Sequence, residues 1–355
     1  MKGLFITKFG NPSESFEWRT INIKVNEEDD VLIKVEHFGI NYADIMARQG
    51  LYGEAPELPF IPGYEVVGTV IDTGDKGKHL LNKRVVGFTR FGGYATHTMT
   101  KLSAVHEISL DFNAEDALAL ATQYVTAYYA TSYCQTIRQG ETVLIQAATG
   151  GVGIALNQLC KLAGAKTIGL CGSKEKIDFC QSQGFNYSYN YKTDSYIDDI
   201  KKVYPEGLDV CFNSLAGKSF KKDKNLLNHT GRIVLYGGAS RSGMKGGTFA
   251  SLKMVWQMGV IIPIGFMMGS KTLIGINMLK VADTKPNIIK PKETRTPYYV
   301  IISLTCIMIF ITYKTRIRIK PVSWNSIPGS TISSIPTFFT LIFSFWISLI
   351  SNITK

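Results

Sequence analysis

Hydrophobic and polar positions along this chain change their rhythm once, near residue 125. Before that point the apolar residues come in short β-branched bursts: Val31-Leu32-Ile33-Lys34-Val35-Glu36, Val66-Val67-Gly68-Thr69-Val70-Ile71 and Arg84-Val85-Val86-Gly87-Phe88. Turn residues punctuate them, as in Asp72-Thr73-Gly74-Asp75 and Gly92-Gly93. Short bursts bounded by turn signals predict strands, and hence a β-rich domain over residues 1–125.

From residue 126 strand-like runs alternate with helical stripes. Glu141-Thr142-Val143-Leu144-Ile145-Gln146 reads as a buried strand, and residues 153–163 carry Ile154, Leu156, Leu159, Cys160 and Leu162 at helical spacing. Strands are predicted again at 166–170, 208–212 and 231–237, with a helix at 175–183. Such alternation predicts right-handed βαβ units around a doubly wound parallel sheet, over residues 126–262.

The strongest motif lies at the junction of the first such strand and helix, in Ala147-Ala148-Thr149-Gly150-Gly151-Val152-Gly153. Read as Ala148-x-Gly150-x-x-Gly153, it is the dinucleotide-binding fingerprint with alanine in the first place. The chain must turn tightly, backbone N–H groups must approach a pyrophosphate, and Gly153 must let the helix lie close to the sheet. The helix N-terminus then presents partial positive charge to the phosphates. These residues are the expected phosphate cradle.

Choice between the two nicotinamide dinucleotides is expected at the end of the next strand, where an acid would grip a ribose 2′-hydroxyl. This strand ends Leu170-Cys171-Gly172-Ser173-Lys174-Glu175-Lys176. Its first polar side chains, Ser173, Lys174 and Lys176, suit a 2′-phosphate, so NADPH is the expected cofactor, with Gly172, Ser173 and Lys176 among the residues expected to bind it; Glu175 is the one acid nearby.

Composition then removes other readings. With 45% hydrophobic and 19% charged residues the chain is ordinary for a packed protein. Six cysteines (Cys134, Cys160, Cys171, Cys180, Cys211, Cys306) form no C-x-x-C pair, which fits a reducing cytosolic compartment. No secretory signal is read at the N-terminus. The formal charge of +11 divides unevenly. Residues 291–355 hold seven Lys/Arg against Glu293, a net +6, and the rest hold 32 against 27, a net +5. With no basic and aromatic cluster before residue 291, a nucleic-acid partner is not expected.

The residues Gly39-Ile40-Asn41-Tyr42-Ala43-Asp44-Ile45-Met46-Ala47-Arg48-Gln49-Gly50-Leu51-Tyr52 and Pro62-Gly63-Tyr64-Glu65-Val66-Val67-Gly68 carry a family resemblance. Over residues 1 to about 290 the chain resembles the medium-chain dehydrogenase/reductase superfamily, within it the zinc-independent quinone oxidoreductases, and most closely the vesicle-amine-transport-protein-like branch. The resemblance implies a Rossmann domain plus a β-rich GroES-like catalytic domain, to which residues 263–290 return, and a homodimer. It implies hydride transfer from NADPH to a quinone or an α,β-unsaturated carbonyl, with Asn41, Tyr52 and Tyr64 as hydrogen-bond donors to the developing oxygen. Thr126 matches a threonine near the nicotinamide, and Tyr191 a tyrosine beside the 2′-phosphate. Ser214 and the pair Tyr236-Gly237 match later strand ends along the cofactor. Asp44 is expected to brace the helix begun at Asn41. Where relatives usually have aspartate, this chain has Asn213.

Zinc-dependent relatives place a cysteine ligand where Asn41 stands and a histidine ligand where Tyr64 stands. The five histidines (His37, His79, His97, His106, His229) have no neighbouring His or Cys at ligand spacing, so no metal site is expected. An alternative from another class is an NADPH-binding, membrane-associated adaptor or lipid-handling protein with little turnover.

Beyond residue 290 the resemblance stops. Residues 291–355 include 14 isoleucines, with apolar runs at 298–313 and 337–350 flanking Lys314, Arg316, Arg318 and Lys320. Two readings compete for this tail: a membrane anchor, or read-through of an A/T-rich gene that is not evolved protein sequence.

Overall fold

The computed structural model describes residues 1–285 apart from 194, 245 and 246. The expectations for residues 291–355 lie outside the described residues. Two strands the hydrophobic pattern did not mark, β1 (Lys2–Ile6) and β2 (Phe16–Thr20), open the chain as an antiparallel pair.

The predicted β-rich region forms a five-stranded antiparallel sheet. Its strands are β3 (Asp30–Phe38), β4 (Glu65–Thr73), β5 (Arg84–Phe88), β6 (His97–Lys101) and β7 (Val105–Glu107), in the order β6-β3-β4-β5-β7. Alternation puts Val31, Ile33, Val66, Val70 and Val85 into one core with Leu80. Val67 points the other way, onto Ala114, Ala117 and Leu118 of the helix Ala114–Ala119.

The second region is a six-stranded sheet of β8 (Thr142–Ile145), β9 (Lys166–Cys171), β10 (Tyr187–Asn190), β11 (Leu208–Asn213), β12 (Leu227–Leu235) and β13 (Thr272–Gly275). All its pairs are parallel, in the order β10-β9-β8-β11-β12-β13. This is the doubly wound Rossmann order, and its direction of winding reverses between β8 and β11. Val143, Leu144 and Ile145 are fully buried, as strands covered on both faces require. Leu144, Ile168, Leu170, Cys211 and Ile233 share a core with Tyr196 and Ile200 of the helix Tyr196–Val203 and with Phe220 of the helix Gly217–Leu226. Each large apolar side chain so buried contributes about 1.5–3 kcal/mol.

Several bounds move from the sequence-based ones. The helix predicted from 153 starts earlier, as Gly151–Leu162, so Gly151 belongs to its first turn. The strand predicted at 231–237 is β12, beginning at Leu227. The polar run Asn228-His229-Thr230 hid its start. There the register slips between Leu208↔Leu227 and Val210↔Arg232, with Thr230 left-handed at φ 70°. The apolar stretch after the glycine-rich segment divides into the helices Gly247–Met258 and Pro263–Met268, then β13 and the helix Met278–Thr284. Residues 247–268 are apolar enough to cross a membrane by composition, at mean hydropathy 1.4. Gly259 (φ 81°) and Pro263 break them into pieces shorter than the roughly 20 residues a span needs. Phe249, Trp256 and Met268 are exposed on these helices.

Candidate functional site

At the C-terminal ends of β8 and β9, beside the reversal point, lies a cavity of about 580 Å³. It is lined by Ala147, Thr149, Gly150, Cys171, Gly172, Glu175, Lys176, Phe179, Tyr191 and Leu215. In open α/β sheets this crevice is where ligands sit. Ala147 turns the chain out of β8 in the left-handed region, at φ 50°. Ala148 is buried beneath the turn, Gly150 is the N-cap, and Gly151, Val152 and Gly153 open the helix. A Cβ on Gly153 would stand 2.6 Å from the Ala147 carbonyl oxygen and 2.9 Å from backbone atoms of Ala148, so only glycine fits there. The turn and helix N-terminus therefore have the shape and polarity to hold a pyrophosphate.

The far end of the cavity carries one lysine, one glutamate and two aromatic rings, those of Phe179 and Tyr191. Ser173 caps the helix Lys174–Ser182, accepting from the Lys176 amide at 3.4 Å, so its hydroxyl is partly committed to the backbone. The exposed Tyr191 ring lies over Gly172, where a Cβ would come within 2.8 Å of the Tyr191 hydroxyl. Lys176 lines the cavity and so does Glu175, whose carboxyl the Ser173 hydroxyl holds below its usual range. Ser214, next to the lining residue Leu215, follows β11; Gly237 approaches it so closely that a Cβ would meet the Ser214 carbonyl at 2.7 Å. Tyr236 donates its amide to the Asn213 carbonyl at 3.0 Å, which brings the ends of β11 and β12 together.

The other candidates form a second corner, at the end of the antiparallel sheet. Asn41 is the N-cap of the helix Tyr42–Arg48, in a reciprocal capping box with Asp44. The Asp44 carboxylate accepts from the Asn41 amide at 2.8 Å and from the Gly63 amide at 2.9 Å. Burial nevertheless pushes it up to about 6. The Asn41 side-chain amide nitrogen faces both carboxylate oxygens of Glu65, at 2.7 and 2.8 Å, and Thr122 donates to the same carboxylate at 2.7 Å. Glu65 is 1% exposed, and burial raises it to about 7 against those hydrogen bonds. The Thr126 hydroxyl donates back to the Thr122 carbonyl at 2.7 Å, while a Cβ on Gly151 would collide with the Gln123 side chain. A continuous path of contacts thus runs from Asn41 through Glu65 and residues 122–126 to the glycine-rich turn.

Tyr64 is buried in an aromatic group with Tyr52, Phe88 and Phe91, its ring centroid 6.4 Å from that of Tyr52. Burial, with Tyr52 beside it, pushes its phenol far above the ordinary value; Tyr52, half-buried, is raised by burial as well. Both hydroxyls stay protonated. Of the three expected donors, Asn41 is engaged by Glu65, Tyr64 is packed among aromatic rings with its buried hydroxyl left without a hydrogen bond, and Tyr52 is half-buried. Sequence reading gave Glu65, Thr122 and Gln123 no role. The available signal was a carboxylate at the head of the apolar run Val66-Val67.

This corner does not fit zinc, since the side chains that converge are an amide, two phenols and hydrogen-bonded carboxylates, with no His or Cys among them. Among the described residues, the metal-ligand types that cluster are Glu27, Asp29 and Asp30. The Lys101 ammonium bridges all three at 2.7, 3.1 and 2.8 Å and supplies their counter-charge.

Fold and crevice together place the described residues among proteins that join a β-rich domain to a Rossmann-type domain with a crevice at its reversal point. Residues 27–109 match the alcohol dehydrogenase GroES-like domain and residues 151–288 match the family described as zinc-binding dehydrogenase. Human quinone oxidoreductase is 30% identical over 244 residues, 67% of this chain and 73% of its own length. The synaptic vesicle membrane protein VAT-1 homolog of Danio rerio is 30% identical over 251 residues, 70% of this chain; the chain spans about half, 52%, of that relative. In structure, Escherichia coli quinone oxidoreductase complexed with NADPH superposes with a TM-score of 0.72 at 22% identity, covering 91% of each chain. The human VAT-1 homolog-like protein does so at 0.70 and 24%, covering 91% of this chain and 88% of its own. The chain belongs to the medium-chain dehydrogenase/reductase superfamily, in its quinone oxidoreductase-like group.

Proposed function

We propose that this protein is a zinc-independent, NADPH-dependent reductase of quinones or α,β-unsaturated carbonyls, acting as a homodimer in a reducing cytosol. The observation that carries this reading is the crevice itself: a glycine turn shaped for a pyrophosphate, with Lys176 and Tyr191 at the end where a 2′-phosphate would lie. Bound there, NADPH would supply the hydride. The backbone amides of residues 149–153 would hold the pyrophosphate, with Ser214, Tyr236 and Gly237 along the remaining strand ends and Thr126 toward the nicotinamide. The half-buried Tyr52 hydroxyl, kept protonated by burial, would donate a hydrogen bond to the oxygen that gains charge. Glu65 would hold Asn41, and Tyr64 would pack behind Tyr52 and exclude water.

Incubation with NADPH and a panel of quinones and enones tests the activity. Loss of NADPH absorbance that depends on protein and acceptor is expected. Binding of NADPH with no oxidation by any acceptor would sink the reductase reading and favour the adaptor alternative, to which the exposed Phe249, Trp256 and Met268 lend support. For cofactor choice, Lys176→Ala should weaken NADPH about tenfold or more while sparing NADH. Glu175→Gln, by removing a carboxylate from the same cavity, should strengthen NADPH. Equal loss of both dinucleotides in Lys176→Ala would overturn the 2′-phosphate assignment.

A further inference from the structure

Behind the cofactor crevice lies a buried carboxylate that no step above uses. Asp223, on the helix Gly217–Leu226, is fully buried. Its oxygens accept from Gln146 Nε2 at 2.9 and 3.1 Å and from Asn213 Nδ2 at 2.6 Å. Gln146 is buried and sits immediately before the glycine-rich turn, and Asn213 is buried at the end of β11, immediately before Ser214. Asn213 works on both sides. While Nδ2 donates to Asp223 and, at 3.0 Å, to the Ser219 hydroxyl, Oδ1 accepts the amides of Leu215 at 3.0 Å and Ala216 at 2.7 Å. The two loops that meet at Asp223 through Gln146 and Asn213 are both strained. Ala147 and Ala216 are left-handed non-glycine residues, at φ 50° and 59°, and such conformations persist where surrounding contacts over-determine them.

We infer that Asp223 is a positioning residue for the dinucleotide site: through Gln146 and Asn213 it ties the turn after β8 to the turn after β11, so that Thr149-Gly150 and Ser214-Leu215 meet the ligand as one rigid body. This rests on the reading of the crevice as a dinucleotide site. It also gives a reason for asparagine at 213. An aspartate there would set two carboxylates against each other at the 2.6 Å contact, where both cannot stay ionised. In this chain the acid of the pair sits on the helix and the amide on the strand. Burial raises Asp223 to about 7, opposed by the Asn213 and Gln146 donors.

Exchanging the two residues provides the test. Asn213→Asp should raise the Kd for NADPH about tenfold, measured by fluorescence titration of the full chain well below its melting temperature. Combining Asn213→Asp with Asp223→Asn should return Kd to near the wild-type value. In the exchanged pair the carboxylate now on β11 still accepts the Leu215 and Ala216 amides, the new amide on the helix donates to it, and that amide's oxygen accepts from Gln146. A lowered melting temperature with unchanged Kd in Asn213→Asp would overturn the positioning role. So would a double variant that binds no better than Asn213→Asp. Should Asn213→Asp fail to fold, the double variant decides alone: folding with near wild-type Kd supports the exchange, and failure to fold or bind overturns it. Wild-type protein that binds no dinucleotide would instead overturn the functional reading, and this inference with it.

Discussion

Replacing Gly153 with valine is expected to abolish dinucleotide binding, with a rise in the NADPH Kd of about a hundredfold or more. The space for a Cβ at this position is taken by the Ala147 carbonyl oxygen at 2.6 Å and by Ala148 backbone atoms at 2.9 Å. Those atoms belong to a turn already held left-handed at Ala147, so they have no rotamer to change. The helix Gly151–Leu162 would have to move off the sheet, carrying with it the N-terminal amides that face the crevice. Ala155 and Leu156 are fully buried on that helix, so some loss of stability should accompany the loss of binding. Titration of the variant with NADPH, beside a thermal melt, separates the two effects. A folded Gly153→Val protein that binds like wild type would remove the glycine turn from the site.

The second large effect concerns stability and pH. Glu65 is raised by burial from 4.5 to about 7, and Asp44 from 3.8 to about 6. The folded protein therefore holds protons that the unfolded chain releases. Stability from these groups is full below their unfolded values and is lost as pH rises through about 6 to 7. Each tenfold change in proton affinity is worth about 1.4 kcal/mol, so Glu65 alone accounts for on the order of 3 kcal/mol of stability lost by about pH 8. Glu65→Gln keeps an oxygen to accept from Asn41, while Thr122 can rotate to accept from the new amide. The variant should be more stable than wild type at about pH 8 and close to it at about pH 5. Urea denaturation at the two pH values checks this. A variant less stable than wild type at the higher pH would mean that the ionised carboxylate is itself required to hold Asn41 and Thr122.

The same buried groups mark the limit of what could be read from the chain. Val66-Val67 and Val143-Leu144-Ile145 declared themselves as strands because burial on a sheet face demands apolar residues at fixed period, and the period is written locally. The glycine turn was legible for a similar reason: Ala148, Gly150 and Gly153 are needed at fixed spacing by the turn they form. By contrast β12 began inside a polar run, because a bulge at Thr230 lets the chain break the apolar pattern without leaving the sheet. β1 and β2 were missed as well.

At the site the division is sharper. Lys176 and Gly172 stand out by their place after a strand and Tyr191 by the family resemblance, and the three line one cavity. Glu65 was in view only as part of a motif, and its bond to Asn41 joins residues 24 positions apart. Asp223 and Gln146 are 77 positions apart. No local spacing encodes such pairs. What the sequence by itself determined is the class of fold and the tight glycine turn between β8 and the helix after it, since each of these follows from short-range period and backbone geometry. Only the tertiary structure decided which donors are free and which are committed. That depends on partners from distant segments: Asn41 is turned to Glu65, Tyr64 is packed among aromatics, and Asn213 is held by an acid on a neighbouring helix.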